Sequence, residues 1–262
     1  MQSNAASSPF EGAATYYDRY RAPYAPETIE YLVSAFGLDD TARVLDLGCG
    51  PGTIAIPISR FVAGVLAVDP DAAMVVEGRR LAQERGRSNI QWRCSRAEDL
   101  PPTVGKFRIV TMGQSFHWME RDQVLHRLSE VVEASGGLAL VNPGKRRPQE
   151  SWEDVANKVV AKYLGPPSRH PQMHPEPEHE PSLLRSACFS AFMAREFAGE
   201  ITRDLGSILG CLYSSSRATR PLFGDRAPYF EAELFEALMR FNPSGVFRER
   251  LETEVLLAPK IP

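Results

Sequence analysis

An acidic residue and a set of alternating glycines close an apolar run in the segment VLDLGCGPGT, residues 44–53. Glycine lets a backbone turn sharply and lets a ligand approach it closely. The segment follows a predicted strand and opens a predicted helix, an arrangement that is typical of a ligand-binding loop at a helix N-terminus. Asp46 adds a carboxylate to this loop, so the ligand must be one that tolerates a negative charge.

Two ligand classes are compatible with this spacing. Gly50, Gly52 and Ala55 satisfy the G-x-G-x-x-A pattern of dinucleotide sites, and Asp69 follows at about the 20-residue distance of a ribose-binding acid. A pyrophosphate would face Asp46, however, and like charges repel strongly in a partly dry cleft. S-adenosylmethionine instead carries ammonium and sulfonium groups that gain from Asp46, and a ribose diol for Asp69. The structural alternative is that Asp46 only caps the following helix.

The two motifs together resemble a known family. VLDLGCGPGT followed by LAVDP resembles the first two motifs of class I S-adenosylmethionine-dependent methyltransferases, and more narrowly of the methyltransferase type 11 group, which acts on small molecules. The resemblance is strong over residues 10–142 and looser beyond them. It implies an α/β, Rossmann-like fold with a seven-stranded, mostly parallel sheet, an antiparallel last strand and a helical cap toward the C-terminus. It also implies S-adenosyl-L-methionine as cofactor and S-adenosyl-L-homocysteine as product.

Further segments imply how the cofactor is held. YYDRYRAPY resembles the family's lid segment, in which Arg21 would bind the cofactor's carboxylate. CSRAEDLP resembles the third motif, but Arg96 stands where the family has an acid, so Arg96 would stack on the adenine or Glu98 would accept from its amino group. Both arginines have the alternative of being ordinary surface residues. The predicted cofactor-binding residues are Tyr17, Arg21, Asp46, Gly48, Cys49, Gly50, Asp69, Pro70, Met74, Arg96, Ala97, Gly113 and Gln114.

The segment TMGQSFHWM resembles the type 11 S-F-H-W segment at the carboxyl end of the sheet, where ligands bind in open α/β folds. His117 is the predicted general base, because the pKa of an unperturbed histidine lies near 6.5. The alternative is that His117 and Trp118 begin the next helix and pack on the lid.

The elements that must position these residues follow from periodicity. Between residues 42 and 142, apolar runs alternate with helical patterns, as in βαβ units. The predicted strands of this part are RVLDL, GVLAVD, NIQWRC, FRIVTM and GLALVN. The predicted helices of the chain are 26–36, 71–85, 120–134, 151–164, 204–216 and 226–241. Two more strands are predicted, around 192–201 and in VFRERLETEVLLA, whose alternation is typical of an edge or antiparallel strand.

We divide the chain into N-terminal lid helices (1–40), a cofactor-binding core (41–145) and a segment (146–262) that completes the sheet and carries the substrate cap, all within one domain. The proline-rich stretch 165–181 contains His170, His174 and His179. A metal site there is one interpretation, but the spacing fits no compact ligand motif. We therefore predict no metal and a mobile substrate lid.

Composition limits the remaining function classes. The 262 residues carry a formal net charge of −3, which argues against nucleic acid as a partner. No apolar run reaches the roughly 18 residues of a membrane helix, and the first ten residues do not form a signal peptide. The four separated cysteines indicate reduced thiols and a cytoplasmic location. We predict a small-molecule substrate, no membrane partner, and a monomer or homodimer.

Apolar and aromatic side chains of the C-terminal segment favour a fairly apolar, ring-containing acceptor, as in specialised (natural-product) metabolism. These residues are Phe189, Phe192, Leu209, Leu212, Tyr213, Phe223, Tyr229, Phe230 and Phe235. Sequence alone also permits a protein that binds the cofactor but performs a non-methylating role, such as ligand binding or cyclisation. A nicotinamide oxidoreductase is disfavoured by Asp46.

Overall fold

A computed structural model describes Phe10 and residues 12–143, 151–166 and 187–261. The strands are β1 (Arg43–Leu47), β2 (Gly64–Asp69), β3 (Ile90–Cys94), β4 (Phe107–Gly113), β5 (Val132–Pro143), β6 (Met193–Arg203) and β7 (Phe247–Pro259). The helices are α1 (Ala14–Tyr20), α2 (Glu27–Ala35), α3 (Ala55–Ile58), α4 (Ala72–Glu84), α5 (Arg121–Val131), α6 (Trp152–Leu164), α7 (Leu205–Tyr213), α8 (Arg220–Phe223) and α9 (Ala227–Phe241).

The seven strands form one sheet in the order β3-β2-β1-β4-β5-β7-β6. Strands β1 to β5 run parallel to one another, whereas β7 runs antiparallel to β5 with Leu256 opposite Leu140. The predicted seven-stranded, mostly parallel sheet with an antiparallel last strand is confirmed. Since β1, β2 and β4 are parallel neighbours, their carboxyl ends meet at one edge of the sheet, where ligands bind in such folds.

Both faces of the central parallel strands β1, β2 and β4 are covered, which explains why their sequences are largely apolar. Leu45 and Leu47 of β1 pack in one hydrophobic cluster with α5, and Val44 packs in another with α2 and α3. All three are fully buried, and burying such a side chain contributes about 1.5–3 kcal/mol. Alternation along β1 puts Asp46 on the same face as Val44, so its carboxylate points toward α3.

Contacts divide the chain into two compact units. The larger takes in the described residues of 24–144, 170–198 and 252–262, and the smaller takes in those of 1–23, 145–169 and 199–251. Our three sequence segments remain a prediction, and the units follow different boundaries because α1 clusters with helices that come more than a hundred residues later.

The smaller unit has an aromatic core of its own, drawn from α6, α7, α8 and α9. Within it the rings of Phe223 and Phe230 stack with centroids 4.0 Å apart. Arg203 at the end of β6 is almost fully buried, forms an ion pair with Glu249, and donates to the Tyr20 carbonyl oxygen at 2.8 Å. The buried guanidinium therefore holds the carboxyl end of α1.

The predicted boundary between a helix and the following strand was wrong at one junction. We predicted a helix over 120–134, but α5 ends at Val131 and β5 begins at Val132 without an intervening loop. Val131 and Val132 suit a helix and a strand equally, and no glycine or proline precedes Gly136 to mark the change. The predicted strand GLALVN is correspondingly five residues too short at its start.

Two general expectations can be compared with the structure. All four cysteines, at positions 49, 94, 188 and 211, are free thiols. Among the described residues, no helix combines the length and apolar character needed to cross a membrane.

Candidate functional site

Three glycines of the loop after β1 have left-handed backbone conformations, with φ of +62° at Gly48, +53° at Gly50 and +93° at Gly52. A Cβ atom on Gly48 would lie 2.4 Å from the Cβ atom of Ser115, and one on Gly52 would lie 2.7 Å from Cη2 of Trp92. A Cβ atom on Gly50 would meet nothing within 4 Å. Two of the glycines therefore serve internal packing, whereas Gly50 borders open space that a ligand can occupy.

This difference predicts that alanine substitutions at Gly48 and Gly50 have unequal effects on stability. Gly48→Ala and Gly50→Ala incur similar backbone strain, of about 1–2 kcal/mol, because their φ angles are alike. Only Gly48→Ala adds a clash with Ser115, so we expect it to lower the melting temperature of the apo protein several degrees further than Gly50→Ala does. Equal melting temperatures of the two variants would contradict this account of the loop.

Asp46, the penultimate residue of β1, is a buried carboxylate with 1 % of its surface exposed. It accepts hydrogen bonds from the hydroxyl of Thr111 at 2.7 Å and from the backbone amide of Ala55, the first residue of α3, at 3.1 Å. The bond from Ala55 shows that Asp46 caps α3, which is the structural alternative considered for this residue. Burial raises the pKa of Asp46 to about 7, so its charge is not stabilised by these two bonds alone.

The raised pKa predicts the direction of a pH effect on stability. An unfolded aspartate titrates near pH 3.9, so between about pH 4 and pH 7 the folded protein binds more protons at Asp46 than the unfolded chain does. The free energy of unfolding therefore falls as pH rises through this range. We expect the melting temperature to drop less between pH 5.5 and pH 8 in Asp46→Asn than in the parent. Parallel profiles would show that Asp46 is ionised throughout.

Asp69 ends the neighbouring strand β2 and is also buried, with 8 % exposure. One carboxylate oxygen accepts from the amide of Gly50 at 2.8 Å and the other from the amide of Asp71 at 2.9 Å. Burial raises the pKa of Asp69 to about 6. Each oxygen of a carboxylate has a second lone pair, so these bonds leave capacity for a ribose diol.

The two acids share an unusual electrostatic situation. In the part of the chain that the structure describes, neither Asp46 nor Asp69 is paired with a lysine or arginine. Buried carboxylates without a cation are costly, and the charge of Asp69 further raises the pKa of Asp46. A bound cation would remove part of this cost, whereas a pyrophosphate would add to it.

On the predicted adenine side, Met74 is buried at the start of α4 and Pro70 is exposed. The side chain of Arg96 is 60 % exposed, and its Nε donates to Glu98 at 3.2 Å. The other carboxylate oxygen of Glu98 accepts from the amide of Glu120 at 2.9 Å. Arg96 is thus a surface arginine engaged by Glu98, and its stacking on adenine stays a prediction. Ala97 is buried beside them.

The turn after β4 adjoins the glycine loop. Gln114 follows Gly113 with a φ of +52°, a conformation that non-glycine residues rarely adopt. Ser115 donates its hydroxyl hydrogen to the Leu47 carbonyl oxygen at 2.6 Å, which ties this turn to the end of β1. Strained backbone of this kind clusters at functional sites. No local pattern predicts the contact of Ser115 with Leu47 or that of Thr111 with Asp46.

His117 lies in the 3₁₀ turn Phe116–Trp118 and is 8 % exposed. Its Nδ1 is buried and makes no hydrogen bond in the described part of the chain. Burial, followed by the charge of Arg121, lowers the pKa of His117 to about 4. The imidazole is therefore neutral at pH 7, and no described carboxylate fixes its tautomer through Nδ1.

Two further predicted site residues belong to the smaller unit. Tyr17 lies in α1, and Arg21 comes directly after its last residue, with the guanidinium carbon 5.0 Å from the centroid of the Tyr17 ring. The two side chains therefore meet, as their i, i+4 spacing predicts. Their contact with the cofactor stays a prediction. His170, His174 and His179 lie outside the described residues.

Cys49 completes the set of predicted residues. Its side chain is buried within the glycine loop, and burial raises the pKa of its thiol well above the ordinary value. The thiol stays protonated, so Cys49 contributes its backbone to the loop: its amide donates to Val68 and its carbonyl oxygen accepts from Gly52.

Comparison with known proteins agrees with this geometry. Residues 44–136 match the family model described as "Methyltransferase domain". The ubiquinone biosynthesis O-methyltransferase of Bradyrhizobium sp. (strain ORS 278) is 31% identical over 123 residues, which are 47% of this chain and 46% of that protein. The chain spans about half the length of the curated relatives it matches.

Solved structures share the fold at low identity. A protein assigned provisionally as a type II methyltransferase, from Anaeromyxobacter dehalogenans, has a TM-score of 0.64 at 22% identity and covers 92% of this chain and 98% of its own. The [4+2]-cyclase SpnF has a TM-score of 0.54 at 17% identity, with coverage of 96% and 92%. Residues 44–136 are thus similar to a methyltransferase domain, and the chain shares its Rossmann-like fold with a solved structure assigned to the methyltransferases.

Proposed function

We propose that this protein transfers the methyl group of S-adenosyl-L-methionine to a small-molecule acceptor. The observation that carries the proposal is the pair of buried carboxylates, Asp46 and Asp69, at the ends of adjacent strands without a cationic partner among the described residues. Next to them Gly50 leaves open space. A ligand with a positive charge and a diol suits these two carboxylate acceptors, whereas the pyrophosphate of a dinucleotide does not.

Each part of the site has a distinct role in this proposal. Asp69 accepts from the ribose hydroxyls, and Asp46 favours the cationic methionine part. Gly113 and Gln114, at the end of β4, border that part. Pro70, Met74 and Ala97 border the adenine. When bound, the cofactor supplies a methyl group already activated on a sulfonium, so the protein mainly has to align the acceptor and, for an acidic acceptor, remove a proton.

We propose His117 as the group that takes this proton. Its low pKa supports the assignment in one respect, because only neutral imidazole accepts a proton. The missing partner at Nδ1 weakens it, because general bases are usually held in one tautomer by a second group. The alternative role of packing beside Trp118, whose ring centroid is 5.6 Å from that of His117, is equally compatible with the contacts.

A fairly apolar, ring-containing acceptor remains our proposal for the substrate, with specialised metabolism as its setting. Most of the aromatic residues behind this proposal are core: Phe189, Tyr213, Phe223 and Phe230 are fully buried. Leu209, Leu212 and Phe235 keep partial exposure and are the better candidates for acceptor contacts.

The proposal predicts stabilisation by the cofactor. At about 100 times the dissociation constant, S-adenosylmethionine should add roughly 2.7 kcal/mol to the free energy of unfolding. We therefore expect the melting temperature to rise by several degrees in a thermal-shift assay. S-adenosylhomocysteine should act similarly, and NAD at the same concentration should have no effect. A shift with NAD alone, or with none of the three, would refute the proposed cofactor.

The rival is a protein of this fold that binds the cofactor without transferring its methyl group. Fold alone does not choose between these functions. The decisive measurement is the appearance of S-adenosylhomocysteine when the protein is incubated with S-adenosylmethionine and candidate phenols, amines and enols. Strong cofactor binding without any such product would favour the rival.

A further inference from the structure

A concentration of arginine surrounds the edge strand β3, outside the candidate site. Residues 77–96 carry six arginines and two glutamates, a net charge of +4 in a chain whose formal total is −3. Both glutamates, Glu77 and Glu84, are occupied by Arg80. The local surface is thus strongly basic, although the protein as a whole is acidic.

Three of these arginines have no acidic partner among the described residues. Arg79 donates to the carbonyl oxygen of Trp92, at 3.1 Å, and Arg87 and Arg93 make no ion pair there. Arg79 and Arg87 lie on the same side of the sheet as Trp92, whereas Arg93, the next residue of β3, points to the opposite face. An unpaired guanidinium presents a planar fork of donors that matches a carboxylate in a bidentate way, so two such forks on one side favour a ligand with several carboxylates.

Arg79 and Arg87 border a shallow groove beside the edge strand. Its volume is 670 Å³, and its lining includes Arg79, Arg87, Ile90, Gln91 and Trp92. Strand β3 has β2 on one side and no described strand on the other, so this edge of the sheet is open. The carbonyl oxygen of Trp92 accepts from Arg79, and an added strand would displace this guanidinium. The floor is rigid, because the indole of Trp92 fills the space where a Cβ atom of Gly78 would lie at 2.3 Å.

We propose that this groove docks an extended acidic peptide segment of a partner protein, which adds to the sheet beside β3. The edge backbone supplies strand-type hydrogen bonds, and Arg79 and Arg87 supply the charge that selects glutamate or aspartate. Five residues of β3 offer about 17 Å of edge, enough for a short strand. A nucleic acid matches the arginines but not the edge backbone.

The probe for this proposal is a fluorescein-labelled, eight-residue peptide of alternating glutamate and threonine, measured by fluorescence anisotropy at low ionic strength. We expect a dissociation constant below about 1 mM. Reversing two charges in Arg79→Glu/Arg87→Glu should weaken binding at least about tenfold. The matched control, Arg60→Glu/Arg226→Glu, reverses two exposed arginines on other elements and should leave the affinity within about twofold.

Hydrogen exchange separates strand addition from simple charge attraction. Saturating peptide should slow amide exchange within residues 90–94, whereas a purely electrostatic complex would not. Arg79→Gln/Arg87→Gln replaces the reversed variant if that variant fails to fold, as judged by circular dichroism. Absence of binding, equal weakening by the control pair, unchanged exchange at β3, or tighter competing binding of a labelled twelve-nucleotide oligothymidine would each overturn the proposal.

Discussion

Replacing Asp69 with alanine is expected to weaken binding of S-adenosylmethionine by about 10- to 150-fold, measured by isothermal titration calorimetry. The variant loses charge-assisted hydrogen bonds to the ribose diol, which contribute about 1.5–3 kcal/mol. The apo protein should also lose about 1–3 kcal/mol of stability, because the partly buried amides of Gly50 and Asp71 lose the carboxylate that they donate to.

Asp71→Ala is the matched control for this loss of stability. Asp71 caps α4 by accepting from the amides of Ala73 and Met74, so its removal costs about 0.5–2 kcal/mol. No role in binding ribose is assigned to it, and cofactor affinity should stay within about twofold. If Asp69→Ala binds the cofactor as tightly as Asp71→Ala does, the cofactor is held without Asp69 and the proposed site is wrong.

The second large effect is expected at His117. If His117 is the general base, His117→Asn should lower turnover by about 100- to 10,000-fold at saturating acceptor while cofactor affinity stays nearly intact. His126→Asn makes the same chemical change on an exposed position of α5 and should leave turnover unaffected. Turnover of His117→Asn within about tenfold of the parent would reject the base assignment and leave the packing role.

The pH profile provides a separate measure of the same assignment. Only the neutral form of His117 accepts a proton, and its pKa is lowered to about 4. Activity that depends on this group should therefore rise with pH near 4 and be level between pH 6 and pH 8. A rise centred near 6.5 would mean that the imidazole is far better solvated in the working enzyme than burial beside Arg121 allows.

The parallel strands could be predicted from sequence because each is a short apolar run with a sharp boundary. Strand β2, for instance, is bounded by Gly64 and by Asp69 followed by Pro70, and its predicted and observed limits agree. The junction at Val131–Val132 has no such boundary, and there the prediction failed. Local patterns locate an element well only where a residue with a strong backbone preference ends it.

The identity of the site residues could be predicted from the sequence, but their hydrogen bonds and pKa values could not. The position of Asp46 at the end of β1 follows from the motif, whereas its bond to Thr111 joins residues 65 positions apart and depends on strand order. Likewise the histidine of S-F-H-W is visible in the sequence, but its lowered pKa arises from burial in the folded chain. Protonation states depend on tertiary contacts, which no local pattern encodes.

The indole of Trp92 has an evolutionary consequence. It fills the space that Cβ atoms would need at Gly52, in the loop after β1, and at Gly78, in the middle of α4. Gly78 cannot gain a side chain while the indole is present, and a smaller residue at position 92 would leave a cavity that a larger residue at 78 could fill. At Gly52 the φ of +93° and Cγ1 of Ile56, 2.9 Å from such a Cβ atom, oppose a side chain whatever residue stands at 92. Among related sequences we therefore expect positions 78 and 92 to change together and glycine to persist at 52.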